Sequence, residues 1–416
     1  MNLRKIYSSI DIGSNSIKIV VAEYFEKKYN ILASISYPTS SVKKGVIIDD
    51  ATFEKELKEA FKNINSSLGL KIDKVITNVP IYNAKYTLVE GVSEVSNSEN
   101  RVTGEDMVNA LQASIRNKID KNDELVTIIP IKYELNGDEK LAVKEPKGLN
   151  AELLKVYAMM VTVPKKNIIK TVSIIEKIGV EVVDILFGCL GDYNIFKEKT
   201  FDNETVGVIN FGTDKIELST FNNGVITNST IIQDGTKNID SDVSYVYNIK
   251  MTQAKKIREM FAVAHKVYAS KNEIYEVTNK SSMKTKINQY EVSEIISNRI
   301  KEILQNSKKE LNHLTKKEIR YIIITGGISN MPGFDDLARE VFGSQAIIKR
   351  LDIIGIRDNS YSSAIGMIDF FMNKLKIRGK AYSMFDEEKE VELIDTRNNT
   401  SIFGRFFNYL TGNKED

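Results

Sequence analysis

The chain switches between two hydrophobic rhythms. Tyr7–Ile12, Ile17–Tyr24 and Ile31–Tyr37 carry apolar residues in alternation or in short unbroken runs. That is the pattern of strands, whose successive side chains face opposite sides of a sheet. The period then lengthens. Phe53, Leu57, Ala60, Phe61 and Ile64 share one face of a helix, and Asp49 or Asp50 stands where it can cap the first turn. Val75–Val79 returns to a strand and stops at Pro80. Strand–strand–strand–helix–strand is half of a two-lobed α/β plan.

Residues 84–162 change character. Tyr86–Val95, Leu125–Glu134 and Leu153–Val163 read as strands around a helix that starts at Thr103 and buries Met107, Ala110, Leu111 and Ile115. This block predicts an inserted α/β subdomain with its own core. Ile168–Ile178 follows as a helix and Val180–Leu186 as a strand. After Asn203 the opening pattern restarts: Val206–Phe211, Lys215–Phe221 and Val225–Ile232 are strands, with Asn223-Gly224 as a hairpin signal. A strand–glycine turn–strand unit therefore occurs twice, around Gly13 and around Gly212, which marks an internal duplication. Residues 237–318 read as mostly helical and polar, Ile319–Thr325 as a strand, and Ser360–Leu375 as a helix. The organisation expected is a first lobe core of 1–83 with 163–200, an insertion at 84–162, a second lobe core of 201–236 with 319–375, a helical subdomain at 237–318, a flexible linker at 376–400 and a terminal helix at 401–412.

The glycine turns carry the candidate chemistry. Asp11-Ile12-Gly13-Ser14-Asn15-Ser16-Ile17-Lys18 leads from one strand into another. A Rossmann or Walker turn would lead into a helix. Backbone N–H groups in such a turn still form an anion nest. Asp11 is placed to hold a magnesium-bound water, and Lys18 to neutralise a phosphate. Thr325-Gly326-Gly327-Ile328-Ser329 lets backbone approach a flat ring and ribose, because glycine has no Cβ in the way.

Composition narrows the function classes. Lys and Arg number 58 against 56 Asp and Glu, so nothing argues for nucleic acid as the main partner. One cysteine, Cys189, excludes an internal disulfide and suits a reducing cytosol. Two histidines, His265 and His313, make a His-based metal site or a Ser-His-Asp triad improbable. No window reaches the ~18 apolar residues of a spanning helix. The last segment is different. Ile402, Phe403, Phe406, Phe407, Tyr409 and Leu410 fall on one side of a helix opened by Ser401, with Gly404, Arg405, Asn408 and Thr411 opposite. A helix that packs back on its own body is one reading. A peripheral membrane anchor through Ile402, Phe403, Arg405, Phe406, Phe407 and Leu410 is the reading the charged tether favours. Burying each large apolar side chain yields ~1.5–3 kcal/mol, from which helix folding on the surface subtracts, so one copy binds reversibly and a filament of copies binds tightly.

These motifs resemble the FtsA family of bacterial actin-like division proteins over essentially the whole chain. Asp11-Ile-Gly-Ser is similar to the family's first phosphate motif, Thr325-Gly-Gly-Ile-Ser-Asn-Met-Pro-Gly to its adenosine motif, and Tyr361-Ser-Ser-Ala-Ile-Gly to its second connecting motif. The insertion resembles the subdomain particular to this family. The resemblance implies a two-lobed actin-like ATPase fold with duplicated ribonuclease-H-like sheets. It implies a cytoplasmic scaffold on the inner face of the membrane at the division site. That scaffold would bind ATP and Mg²⁺, join head to tail with itself, and hold the tubulin-like FtsZ, other division proteins and lipid. The nucleotide residues implied are Asp11, Gly13, Ser14, Asn15, Lys18, Gly212, Thr213, Gly235, Lys255, Arg258, Gly326, Gly327, Ile328 and Ser329. Departures cluster in the cleft. Asn210 stands where the family usually has aspartate, Gly188 where Glu or Gln orients the attacking water, Lys255 where an acid often meets ribose, and Thr213 and Asp214 where glycines are usual, with Asp214 positioned to repel phosphate. Hydrolysis is expected to be slow or absent. The alternatives are a pilus-assembly scaffold of the PilM type, a nucleotide-free scaffold of the same fold, and a small-molecule kinase, which lacks a convincing base here.

Overall fold

The computed structural model describes residues 5–26, 28–378 and 382–385. Three strands open the chain, β1 (Lys5–Ile12), β2 (Ser16–Phe25) and β3 (Lys28–Pro38). They are antiparallel, with the Gly13 turn between β1 and β2 as the sequence predicts. A short hairpin, β4 (Val42–Lys43) and β5 (Val46–Ile47), leads to helix α1 (Asp50–Leu68). The helix buries Phe53, Leu57, Ala60, Phe61 and Ile64, and Asp49 caps it by accepting the Thr52 N–H. Strand β6 (Lys74–Asn78) then joins β1 in parallel.

The insertion is β7 (Lys85–Glu94), α2 (Gly104–Ile115), β8 (Asp123–Leu135), β9 (Ala142–Val143) and β10 (Leu153–Pro164), a four-stranded sheet covered by one helix. Thr103 and Asp106 form a reciprocal capping box that starts the helix. The chain returns through α3 (Lys166–Lys177), β11 (Glu181–Leu186) and α4 (Gly188–Phe196).

The second lobe repeats the first. Strands β12 (Thr205–Phe211), β13 (Ile216–Asn222) and β14 (Val225–Ile232) are antiparallel. Helices α5 (Thr236–Val246) and α6 (Met251–Met260), a hairpin of β15 (Ile274–Thr278) and β16 (Lys284–Asn288), and α7 (Gln289–Leu314) make the helical subdomain. The hairpin adds a small ribbon to the mostly helical expectation: its strands alternate, with Tyr275, Val277 and Ile287 turned to the core and Ile274, Glu276, Lys284 and Lys286 exposed. Strand β17 (Tyr321–Thr325) pairs with β12 in parallel, α8 (Phe334–Phe342) and β18 (Ala346–Ile347) close the lobe, and α9 (Ser362–Arg378) packs back on β1, β2 and β6 of the first.

The sheet orders expose the duplication. One reads β3-β2-β1-β6-β11 and the other β14-β13-β12-β17-β18, an antiparallel triple followed by two parallel strands in each. Helices α4 and α9, one after each sheet, cross between the lobes. They touch through Gly191 and Gly366, where an added Cβ on either would meet the other helix's backbone. Lys376–Arg378 and 382–385, expected to begin the free tether, are instead a helix end and a docked segment. The Met384 N–H donates to the Ile6 carbonyl at 2.9 Å, and Met384 is buried against β1. The rest of the expected tether, 386–400, and the terminal helix 401–412 lie outside the described residues. Among the described residues no helix is long and apolar enough to cross a membrane.

Candidate functional site

Because the two sheets are related by duplication, their glycine turns face each other across one cavity of about 560 Å³. Each turn is closed the same way. The Gly13 N–H donates to the Ser16 carbonyl at 3.1 Å, and the Gly212 N–H to the Lys215 carbonyl at 3.1 Å. The first turn contributes Asp11, Gly13, Ser14, Asn15 and Lys18 to the walls, and the second Asn210, Gly212 and Thr213. Gly326, Gly327 and Ile328 close the far end, Lys255 and Arg258 reach in from α6, and Gly188 lies at the start of α4. Gly326 has φ 97° and presses on the Phe211 carbonyl, a place no side chain could occupy.

Two expected residues stand behind the wall. Gly235 is absent from the lining. Its segment braces the second turn, with the Thr236 N–H on the Gly212 carbonyl at 3.1 Å and the Lys237 N–H on the Thr213 carbonyl at 2.8 Å. Ser329 is buried. Its hydroxyl donates to the Gly326 carbonyl at 2.8 Å and accepts from Asn359 Nδ2 at 2.9 Å, so it shapes the Gly326–Gly327 turn rather than facing the cavity. Asp214 also departs from expectation. It turns away from the cavity and accepts the Lys44 N–H at 2.8 Å, tying the second turn to the first lobe.

The floor is built from charges and amides. Asp11 Oδ1 accepts from Asn78 Nδ2 at 2.8 Å, and Lys18 Nζ lies 3.9 Å from Asp11 Oδ2. Burial pushes the Asp11 carboxyl up; Lys18 and Lys215 pull it back and Glu217 adds to the rise. Across the cleft, Asn210 Nδ2 donates to Asp192 Oδ2 at 2.6 Å and to Ser363 Oγ at 3.0 Å. Asp192 also receives Ser362 Oγ at 2.5 Å and Ser363 Oγ at 3.1 Å. It is wholly buried, and burial lifts its carboxyl to about 7 despite the three donors. In the same cavity Lys215 is paired with Glu217. Burial alone would lower the Lys215 ammonium, but Glu217 outweighs it and the pKa ends above the ordinary value.

Other cations are engaged as well. Arg258 forms a forked pair with the buried Asp240, Nε to Oδ1 at 2.6 Å and Nη2 to Oδ2 at 3.2 Å. Lys255 Nζ spans the cleft to Asn15 Oδ1 at 3.1 Å. Gly188 offers no side chain to orient a water. An ideal Cβ there would lie 3.9 Å from Glu217 Oε2, so Glu217 borders that space while held by Lys215. Asp192, Asn78, Lys215, Glu217, Ser362, Ser363 and Asn359 were not among the expected site residues. Asp192 had one signal: it is the single charge in the apolar run Ile185–Phe196.

Magnesium fits this floor poorly. Asp11 is already shared by an amide and an ammonium, Asn210 aims its donor rather than its acceptor at its partners, and Glu217 is paired. Among the described residues no group of three His, Cys, Asp or Glu is arranged to hold a metal.

Comparison with known proteins places this geometry. A family model described as Cell division protein FtsA matches residues 207–366, and one described as the SHS2 domain inserted in FTSA matches 84–162. Together they span more than half of the chain. Cell division protein FtsA of Bacillus subtilis (strain 168) is 26% identical over 399 residues, covering 95% of this chain and 90% of the relative. That of Enterococcus hirae is 25% identical, covering 88% and 83%. Among solved structures, a PilM-PilN type IV pilus biogenesis complex matches with TM-score 0.56 and 11% identity, covering 87% of this chain and 97% of that one. MreB5 of Spiroplasma citri bound to ADP matches with TM-score 0.53 and 14% identity, covering 90% and 99%. At such identities the structural matches establish the actin-like fold. With the duplicated sheets, the inserted subdomain and both family models in agreement, the chain belongs to the FtsA family of actin-like cell division proteins.

Proposed function

We propose that the chain is a division scaffold that binds ATP in the inter-lobe cleft, joins head to tail into filaments, and ties FtsZ to the inner face of the cytoplasmic membrane at the division site. The observation that carries the nucleotide reading is the convergence of both glycine turns and the Gly326–Gly327 turn on one cavity. The first two offer backbone N–H groups for phosphates. The third offers close backbone approach for the adenosine end. The MreB5 structure with ADP shows that a protein of this fold takes nucleotide.

The chain's own residues would bind and position rather than react. Lys18 and Lys255 would face phosphate. Gly188 supplies no group to orient a water, and Asn210 is neutral, so turnover is slow or nil. The membrane end of the proposal rests on the amphipathic pattern of 401–412, with Ile402, Phe403, Phe406, Phe407 and Leu410 entering the interface and Arg405 at its edge. Head-to-tail contact is heterologous and grows filaments. FtsZ is assigned to the helical subdomain, 237–318.

A nucleotide-free scaffold is the second reading, favoured by the Lys215–Glu217 pair that fills part of the phosphate end. The test of the scaffold itself is co-sedimentation. The full chain should pellet with anionic vesicles and carry FtsZ with it, whereas residues 1–400 should leave both in the supernatant. Equal pelleting of the truncated chain would contradict the anchor.

A further inference from the structure

The phosphate end of the cleft holds two carboxylates, Asp11 and Glu217, and two ammonium groups, Lys18 and Lys215. The duplication explains how they meet. Asp11 faces Lys18 across β1 and β2, and Asn210 faces Glu217 across β12 and β13 at the equivalent register. In the first half the strand before the turn supplies an acid and the strand after it a base. In the second half the strand before the turn is neutral, and the acid after it is matched by Lys215, the residue that closes the turn. Lys215 reaches past its own lobe: its ammonium lies against Gly45 of the first lobe, and its charge acts on Asp11 as well as Glu217.

A divalent cation between two phosphate turns does two things. It neutralises facing carboxylates, and it bridges them to phosphate oxygens. Lys215 already does the first, as a compact charge with three donors, and its ammonium is placed for the second. The amide of Asn210 offers its N–H groups to Asp192 and Ser363, so the strand entering the second turn gives a metal shell no anionic oxygen.

We infer that Lys215 takes the place of the divalent metal, and that the cleft binds a nucleoside polyphosphate without one. The inference rests on the nucleotide reading of the cleft. It concerns affinity, and assigns no step of hydrolysis. Lys18 and Lys215 meet the phosphate oxygens by charge-assisted hydrogen bonds, with the Gly13 and Gly212 turns supplying backbone donors on either side.

The experiment is a calorimetric titration of the full chain with ATP, once in EDTA and once in excess Mg²⁺, for wild type and Lys215→Met. The wild type should give dissociation constants within about threefold of each other in the two buffers. Lys215→Met should lose about tenfold or more in EDTA and recover on adding Mg²⁺, because the freed Asp11 and Glu217 then need a cation. A wild type that loses about tenfold or more in EDTA overturns the inference. A second arm titrates Mn²⁺ without nucleotide, read by its electron paramagnetic resonance signal. Wild type should leave Mn²⁺ free and Lys215→Met should bind it, whereas equal binding by both overturns the inference. If ATP binds neither protein in either buffer, the nucleotide reading falls and the Mn²⁺ arm alone decides the role of Lys215. Should Lys215→Met not fold, the wild-type comparison of EDTA with Mg²⁺ remains decisive.

Discussion

In the first half of the molecule the strand entering the glycine turn carries a carboxylate, Asp11, and the neighbouring β6 supplies an amide, Asn78. In the second half the strand carries the amide, Asn210, and a helix supplies the carboxylate, Asp192. The backbone around them is nearly the same, down to the 3.1 Å hydrogen bond that closes each turn. The comparison separates two constraints. A tight turn between antiparallel strands fixes the backbone, so duplication preserves it. A buried carboxyl needs a donor close by, but which side supplies the acid and which the amide is free. The halves have settled that choice in opposite senses, so the strand entering the turn carries a charge in the first half and a neutral amide in the second.

Several substitutions break or sharpen that comparison. Asn210→Asp would set two carboxyl groups in contact with no room to separate, and should cost about 3 kcal/mol at pH 8, measured by urea unfolding. The exchange Asn210→Asp with Asp192→Asn should recover most of that loss, because it gives the second half the polarity of the first. A double-mutant cycle with no coupling would show that the pair is not the unit described. Next in size is the crossing that both halves share. Gly366→Ala places a Cβ against the Gly191 carbonyl, and should destabilise by about 2–3 kcal/mol through overpacking.

Protonation gives the third test. Folding raises Asp192 to about 7, above its value of about 4 in an unfolded chain. Below about 4 both states hold the proton, so the contribution is fully present. Between the two values the folded chain keeps a proton that the unfolded chain has released, so stability falls as pH rises, by at most about 1.4 kcal/mol per unit. Above about 7 the slope ends. Asp192→Asn should remove this component, seen as a flatter difference between wild-type and variant melts over that range. The charge of Asp11 adds to the rise at Asp192, so the difference reports the two carboxyls together. The smallest effect belongs to the tie between the lobes. Asp214→Ala frees the Lys44 N–H and should cost about 1 kcal/mol, with no change in how the lobes themselves fold.

Much of the fold is legible because its elements obey one rhythm each. Helix α1 buries the five apolar residues its spacing marks, and the antiparallel triples announce themselves by alternation and by glycine turns. The β15–β16 hairpin is not legible, since its core face rests on Tyr275, Val277 and Ile287 in two five-residue strands, too short an alternation to stand out among the charged residues between them. At the site, backbone requirements show and pairings do not. Gly13, Gly212, Gly326 and Gly327 follow from what the turns demand. The partners of Asp11 and Asn210 come from 67 positions downstream and 18 positions upstream respectively, a separation that no local pattern encodes. Asp214 shows the same limit. It belongs to the second turn by sequence, yet its side chain serves the first lobe.

The central claim is that the duplicated turns form one nucleotide site, and thermal unfolding of the full chain with and without ATP tests it most directly. At about 100 times the dissociation constant ATP should add ~2.7 kcal/mol, and the gain should vanish in Gly212→Val, which distorts the second turn alone. A melting temperature unmoved by millimolar ATP, with Mg²⁺ or with EDTA, would contradict the account.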